Sequence, residues 1–183
     1  MSSDVPYGSG SLNLLVGSGA EKVSFGNEVE FVGDAVADVT EVGFHVMTTG
    51  ENSAKGNPNM PSITFEIDPN LEASGSNYSS MVFVPEGTSP TNAWSGYIDA
   101  ASTGKWGLTG AAGTATGCPL SGGLCTFQQL QDALDDGGDG AAILSAAVTK
   151  GKDFAWQGAV DGLRIGDTVF DFEETGVFAT AAD

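Results

Sequence analysis

The stretch that most constrains the fold is residues 154–172, FAWQGAVDGLRIGDTVFDF, because it carries the clearest two-strand pattern in the chain. Gly166 and Asp167 form a two-residue turn of the kind that supplies positive φ, between runs rich in Val, Ile and Phe. The apolar parity before the turn changes near Asp161 and Gly162, where a glycine permits a bulge. The stretch therefore predicts a β-hairpin with one bulged strand. Its expected core residues are Phe154, Trp156, Val160 and Phe170.

The rest of the chain consists of short alternating runs that end at Gly, Asn, Asp or Pro, as antiparallel strands do. The 27 glycines and 40% apolar residues suit short strands joined by tight turns. Strands and helices do not alternate and no repeat is visible, so a parallel sheet, a propeller and a solenoid are disfavoured. We predict about ten strands, comprising residues 11–16, 22–25, 29–32, 41–48, 62–68, 78–84, 94–99, 105–108 and 142–149 and the final hairpin.

One short helix is predicted near residues 126–136. Thr126 can cap its start and Gln129 can complete a capping box. Residues 110–117 are small and are expected to be flexible. The resulting fold prediction is an all-β, antiparallel two-sheet sandwich with one helix.

At 183 residues the chain is long enough for one sizeable core. We expect residues 1–183 to form a single domain with its core in about residues 8–174. Residues 50–61, with Gly, Asn and two prolines, predict a surface loop that is functional or mobile.

The formal charge of −18 arises from 24 acidic residues against six Lys and Arg. Such a field repels nucleic-acid phosphates and anionic membrane surfaces, so we exclude both as partners. Cations or neutral polymers fit better, although solubility or a saline habitat also explains the charge. No run approaches the ~20 apolar residues needed to cross a bilayer, so no membrane insertion is expected.

Cys118 and Cys125 enclose the loop Pro-Leu-Ser-Gly-Gly-Leu, and no other cysteine can complete a four-cysteine metal site. We favour a disulfide, with two free thiols as the alternative, and a disulfide implies a secreted or cell-surface protein. The chain starts Met-Ser-Ser-Asp, without a basic or apolar leader. It is therefore either cytosolic or a mature form whose export signal was replaced by Met.

Several motifs along residues 8–172 carry a resemblance to one group of domains. They are residues 10–14 with Lys22, residues 37–44, 61–68 and 82–86, Trp94, residues 104–106, the helix after Cys125, and residues 156–163. In these motifs the chain resembles a bacterial exported family of laminin G-like, concanavalin A-like jelly-roll domains. The resemblance implies jelly-roll topology, an exported location and a somewhat greater chance of calcium at the rim. His45 stands where the family commonly has an aromatic residue.

Two acidic residues invite a comparison with glycosidases. Glu66 and Asp68 share a strand face like the paired acids of jelly-roll glucanases, and a retaining enzyme needs carboxyl groups ~5 Å apart. However, Pro69 interrupts the strand and the next acid, Glu72, follows in a loop. A polar strand face is therefore favoured over a hydrolase site, and we assign no catalytic residues.

Acidic turns are the candidate metal sites. Asp68, Asn70 and Glu72 alternate oxygen donors as calcium prefers, although the glycine and distal bidentate Glu of an EF-hand are missing. A solvated turn is the favoured alternative. A second acidic turn contains Asp135, Asp136 and Asp139.

Aromatic residues are the candidate ligand contacts, since rings stack on sugars. Trp94 and Trp106 lie in Gly- and Ser-rich surroundings, and each belongs either to the core or to a binding surface. His45 is the only histidine and has no serine or cysteine motif near it, so no catalytic triad is predicted. The candidate ligand contacts are Trp94, Trp106, His45 and Tyr97, with Tyr7 and Tyr78 as further stacking surfaces.

We expect a non-catalytic exported module that binds carbohydrate or another surface polymer, with calcium as a candidate cofactor. The first alternative is a structural, adhesion or self-assembly module that acts through protein contacts, with sheet edges pairing to neighbours. The second alternative is an enzyme of the glycoside hydrolase or lyase type.

Overall fold

The computed structural model describes residues 4–49, 60–86 and 89–182, so most of the loop predicted at residues 50–61 lies outside the described residues. The strands are β1 (Leu12–Val16), β2 (Val23–Asn27), β3 (Val42–Thr48), β4 (Ser62–Asp68), β5 (Ser79–Val84), β6 (Ile98–Asp99), β7 (Lys105–Leu108), β8 (Ala142–Lys150), β9 (Trp156–Ile165), β10 (Thr168–Glu173) and β11 (Gly176–Ala181). The helices are α1 (Ala100–Thr103), α2 (Gly110–Thr116) and α3 (Phe127–Leu134), with a 3-10 turn at Val36–Asp38.

The strands form two antiparallel sheets. The six-stranded sheet has the order β11-β10-β9-β3-β6, and β1 pairs with the first half of β9. The five-stranded sheet has the order β2-β8-β4-β5-β7. The apolar parities of both sheets contribute to one buried core. The prediction of an all-β, antiparallel two-sheet fold is therefore confirmed.

The predicted hairpin is present in β9 and β10, with Ile165 paired to Thr168 across the turn. Gly166 and Gly162 both have positive φ, +56° and +57°. The pairing of β9 with β3 shifts register beside Gly162, which confirms the predicted bulge. The prediction that Phe154 belongs to the core is wrong, since its side chain is 42% exposed. It lies in a bend before β9 begins, where strand parity no longer fixes the direction of a side chain.

Three other local predictions are wrong. Residues 29–32 form bends because the Asn27 side chain accepts the N–H groups of Val29 and Glu30 and curls the backbone. Residues 94–99 contain only the two-residue strand β6. Residues 110–117 form α2, because their alanines favour a helix that ends at Gly117 in the left-handed conformation.

The helix predicted near residues 126–136 is α3, and its capping box between Thr126 and Gln129 is confirmed. The described residues contain three helices where one was predicted. Within the described part of the chain, no helix is both long and apolar enough to cross a lipid bilayer.

The disulfide between Cys118 and Cys125 is confirmed, and it closes a loop that covers one sheet edge. This loop lies along the free side of β7. Trp106 exchanges two backbone hydrogen bonds with Cys125, and Leu108 donates its N–H to the Cys118 carbonyl at 2.9 Å. The loop therefore satisfies backbone groups that an edge strand would otherwise leave open.

Candidate functional site

Three of the four predicted ligand residues come together on the outer side of the six-stranded sheet. His45 projects from β3, with its ring centroid 5.7 Å from that of Tyr97 and 6.1 Å from that of Tyr7. Its Nδ1 atom lies 3.2 Å from the Ser95 carbonyl, next to Trp94. Tyr7 and Tyr97 are 39% and 40% exposed. We call Tyr7, His45, Trp94 and Tyr97 the aromatic face.

Two glycines allow the tyrosines to lie against the sheet. A Cβ atom at Gly43 would approach the Tyr97 hydroxyl to 2.4 Å, and one at Gly162 would approach the Tyr7 ring to 2.3 Å. Both distances are too short for real contacts, so any larger residue would displace a ring. The bulge at Gly162 thus shapes both β9 and the surface above it.

A buried carboxylate lies beneath the aromatic face. Asp161 is fully buried and accepts the N–H groups of Tyr7 and Phe172 at 2.9 and 3.4 Å. Burial raises the pKa of Asp161, while these hydrogen bonds and the charge of His45 act in the opposite direction. Burial, and to a smaller extent the charge of Asp99, raises the pKa of Tyr97 to about 12. Asp161 therefore anchors the segment that carries Tyr7.

Trp106, the fourth predicted ligand residue, belongs to the core and cannot contact a ligand. It is 0% exposed and packs on Phe65, Phe83 and Phe127, with ring centroids 5.0 to 6.0 Å away. Its Nε1 donates to the Ala100 carbonyl at 2.7 Å. The core alternative left open for Trp106 is therefore correct. Trp94 is partly buried and lies opposite Met47.

A polar concavity of about 470 Å³ lies on the outer side of the five-stranded sheet. Its floor is formed by Gly26 and Ala147, which pair directly and leave room above the sheet. Ser24 and Thr149 share a hydrogen bond of 2.8 Å at one side. We call this concavity the hydroxyl groove. Its lining is Lys22, Ser24, Gly26, Asn27, Glu28, Thr64, Glu66, Ser145, Ala146, Ala147 and Thr149.

Glu66 connects the hydroxyl groove to an exposed aromatic ring. Its carboxylate accepts a hydrogen bond from the Ser80 hydroxyl at 2.7 Å and one from the Tyr78 hydroxyl. The hydrogen bond to Glu66 is the main cause that raises the pKa of Tyr78, followed by burial. Tyr78 is 54% exposed. A carboxylate acceptor, several hydroxyls and an aromatic ring are thus available in one place.

Sequence reasoning named Glu66 and Tyr78 but did not place them in one site with Ser24, Thr64 and Thr149. A signal was present, because Ser62–Asp68 alternates apolar residues with polar ones that must face outward. The missing information was strand order, since only the pairing of β2, β8 and β4 brings these side chains together.

The two acidic turns meet and are joined by hydrogen bonds. The Asn70 side chain donates to the Gly140 carbonyl at 2.6 Å, and the Glu72 N–H donates to Asp136 at 2.8 Å. Asp68 accepts the N–H of Asn70 at 3.1 Å. Across residues 4–49, 60–86 and 89–182, no three Asp, Glu, His or Cys side chains are grouped so as to hold a metal ion. These polar groups join the turns to one another.

A comparison of the chain with known protein families, curated proteins and solved structures finds no match.

Proposed function

We propose that the chain is an exported, non-catalytic jelly-roll module that binds a neutral carbohydrate, or a surface polymer rich in hydroxyl groups, in the hydroxyl groove. The observation that carries this proposal is the juxtaposition of the groove with Tyr78 through Glu66. The laminin G-like resemblance of the sequence and the disulfide support an exported location.

The chemistry of the groove suits a sugar. The Ser24 and Thr149 hydroxyls can donate and accept, and Glu66 accepts strongly, which matches the paired donors and acceptors of a glycan. An exposed tyrosine supplies an apolar ring with a polar tip for the faces of sugar rings. Gly26 and Ala147 keep the floor flat enough for a ring to approach the sheet.

Charge restricts the class of polymer. The chain has a formal charge of −18, and Glu28 and Glu66 both line the groove. Sulfated or uronic-acid polymers would be repelled, whereas neutral or amino sugars would not. We therefore assign neutral or amino sugars as the preferred ligands.

The hydrolase alternative gains little support. Asp68, the predicted partner of Glu66, does not line the groove, and its carboxylate accepts the Asn70 N–H. The Glu66 carboxylate is itself occupied by Ser80 and Tyr78. We therefore expect bound oligosaccharides to be recovered uncleaved.

The decisive experiment screens the protein on a glycan array and measures the affinity of each hit by calorimetry. Tyr78→Ala and Thr64→Val should weaken binding about tenfold or more, because each removes a stacking or hydrogen-bonding partner. Tyr97→Ala is the matched control, since it removes another exposed tyrosine from the opposite sheet. It should leave the affinity unchanged.

Two results would overturn this assignment. Loss of binding in Tyr97→Ala but not in Tyr78→Ala would move the site to the aromatic face. A protein that folds but binds no neutral or amino glycan would remove the carbohydrate proposal altogether.

A second function, contact with another protein, is favoured by a separate observation. β11 is exposed along its whole length and pairs on one side only, with β10, among the strands of the described residues. An open edge of this kind is a site at which another chain can add a strand.

A further inference from the structure

An apolar cleft of about 210 Å³ opens between the two sheets at the side formed by β2 and β11. Phe25 packs edge-on against Phe172 and Phe31 against Phe170, with ring centroids 5.9 and 5.7 Å apart. Val177 lines the cleft from β11. We call this space the interlayer cleft.

The interlayer cleft exists because one sheet extends further than the other. Val177 and Ala179 pair with Phe172 and Phe170, so they face the same way as these core residues. β2 lies opposite β10, and in the described part of the chain no strand of the five-stranded sheet lies beyond β2. The inner face of β11 therefore has no sheet opposite it, and Val177 is 44% exposed.

The space beside β2 and opposite β11 matches one strand in length. β2 is five residues long and β11 is six, so a strand of similar length placed beside β2 would fit between them. It would pair with the second edge of β2, which joins no other strand among residues 4–49, 60–86 and 89–182. Alternate side chains of this strand would point inward onto Val177, Ala179 and Phe31.

The acidic residues around the interlayer cleft indicate which kind of peptide strand would bind there. Phe25 of β2 contacts Phe172, near the end of β10, whereas Phe31, in the bends after β2, contacts Phe170, so the acids that follow β2 and those at the end of β10 lie toward opposite ends of the cleft. Glu28 and Glu30 follow β2, Glu173 is the last residue of β10, and Glu174 lies between β10 and β11. Apolar walls between two acidic ends complement a peptide that is apolar in the middle and basic at both ends.

A second copy of the chain fits this surface less well. It would bring another formal charge of −18, and its own edge strands carry the same acidic flanks. A seam between two six-residue edges is also short compared with the interfaces of stable dimers, which bury about 1,200 Å² or more.

We infer that the interlayer cleft binds an extended peptide segment of another protein, with alternating apolar residues and flanking Lys or Arg, as an added strand beside β2. This inference rests on the protein-contact function and is independent of the hydroxyl groove. The peptide covers the inner face of β11 and completes the second layer of the sandwich.

The test uses labelled peptides and fluorescence anisotropy. Lys-Lys-Val-Thr-Val-Thr-Val-Lys-Lys should bind, and replacing its lysines by glutamates should weaken binding about tenfold or more. The scrambled core Thr-Val-Val-Val-Thr should also bind poorly, because it loses the alternation. Amide hydrogen exchange should show new protection in β2 when the peptide is added.

Neighbouring substitutions in β11 provide matched controls. Val177→Lys and Ala179→Lys place a charge on the inner face and should weaken peptide binding about tenfold or more. Phe178→Lys alters the outer face of the same strand, where Phe178 is also exposed, and should have little effect. Circular dichroism and the Tm verify that each variant folds. Glycan binding by Val177→Lys should be unchanged, which separates this inference from the carbohydrate proposal.

Several results would overturn the inference. One is equal binding of the lysine-flanked, glutamate-flanked and scrambled peptides. Another is protection confined to β11 together with sensitivity to Phe178→Lys, which would place the peptide on the outer edge. A dimer of the free protein in sedimentation that Val177→Lys dissociates would make a second copy the occupant.

Discussion

The sheet edges at the two ends of the sandwich differ, since one is covered by a loop and the other is open. At β7 the disulfide loop from Cys118 to Cys125 pairs with the edge strand and covers it. At β11 the last strand is exposed on both faces and has one partner strand, β10, within the described residues. Since both edges flank one buried core, the comparison shows that covering an edge is a local property of the sequence. The covered edge is where stability should concentrate, and the open edge is where partners can bind.

Core substitutions should give the largest difference between these regions. Trp106→Ala should lower the free energy of unfolding by about 3–5 kcal/mol, because it empties a buried site among three aromatic rings. Phe178→Ala, on exposed β11, should change it by about 0.5 kcal/mol or less. Urea unfolding measures both. Similar losses in the two variants would show that the β11 end carries as much stability as the β7 end.

Removal of the disulfide should have an intermediate effect. The double variant Cys118→Ser with Cys125→Ser opens a loop of sequence separation 7 and should cost about 2–3 kcal/mol of stability. The loop would then release the β7 edge, so the amides of Trp106 and Leu108 should exchange faster with solvent. Amides of β11 serve as the internal control. Unchanged exchange at β7 would show that the loop stays paired without its crosslink.

The smallest expected effect is the dependence of stability on pH that Asp161 causes. Burial raises the pKa of Asp161 above its ordinary value of 3.8, so the folded protein keeps this proton when the unfolded chain has lost it. Stability should therefore fall as the pH rises from about 3.8 through the raised pKa. Asp161→Asn should remove this part of the pH dependence while it keeps an oxygen to accept the Tyr7 N–H. Urea unfolding midpoints of both proteins, measured from about pH 3 to about pH 7, test this pH dependence.

Neighbouring groups modify this pH profile in known directions. Burial, with the charges of Asp161 and Glu173, raises the pKa of Asp171, which adds to the loss of stability at higher pH. Hydrogen bonds from Ser9 lower the pKa of Glu173, so its contribution is lost as the pH falls. Parallel profiles for the parent protein and Asp161→Asn would contradict the role of Asp161.

Local patterns predicted most of the strands, because alternation and turn residues act over a few positions. The hairpin at Gly166 and the bulge at Gly162 followed from parity and glycine alone. The helix α2 did not, because its small residues suited a flexible segment as well as a helix. The strand predicted at residues 29–32 is absent because the Asn27 side chain accepts hydrogen bonds from two backbone N–H groups and bends the chain despite its apolar pattern.

The candidate sites depended on strand order, which local patterns do not specify. The structure brings His45, Trp94 and Tyr97 to one side of the sheet, and nothing in their spacing placed Tyr7 beside them. Trp106 was ambiguous because a Gly-rich setting describes both a surface loop and a strand under a covering loop. The hydroxyl groove required the pairing of β2, β8 and β4, which are far apart in sequence.

The bulge in β9 also limits how this strand can vary between homologous chains. Ahead of Gly162 even-numbered residues face inward, and behind it Leu163 and Ile165 do. A strand that kept all these residues but lost the bulge would turn these two apolar side chains toward water and direct Arg164 into the interior, away from Glu41. Because Gly162 has a φ of +57°, homologous chains should keep a glycine at this position or shorten the strand by this one residue, which restores plain alternation.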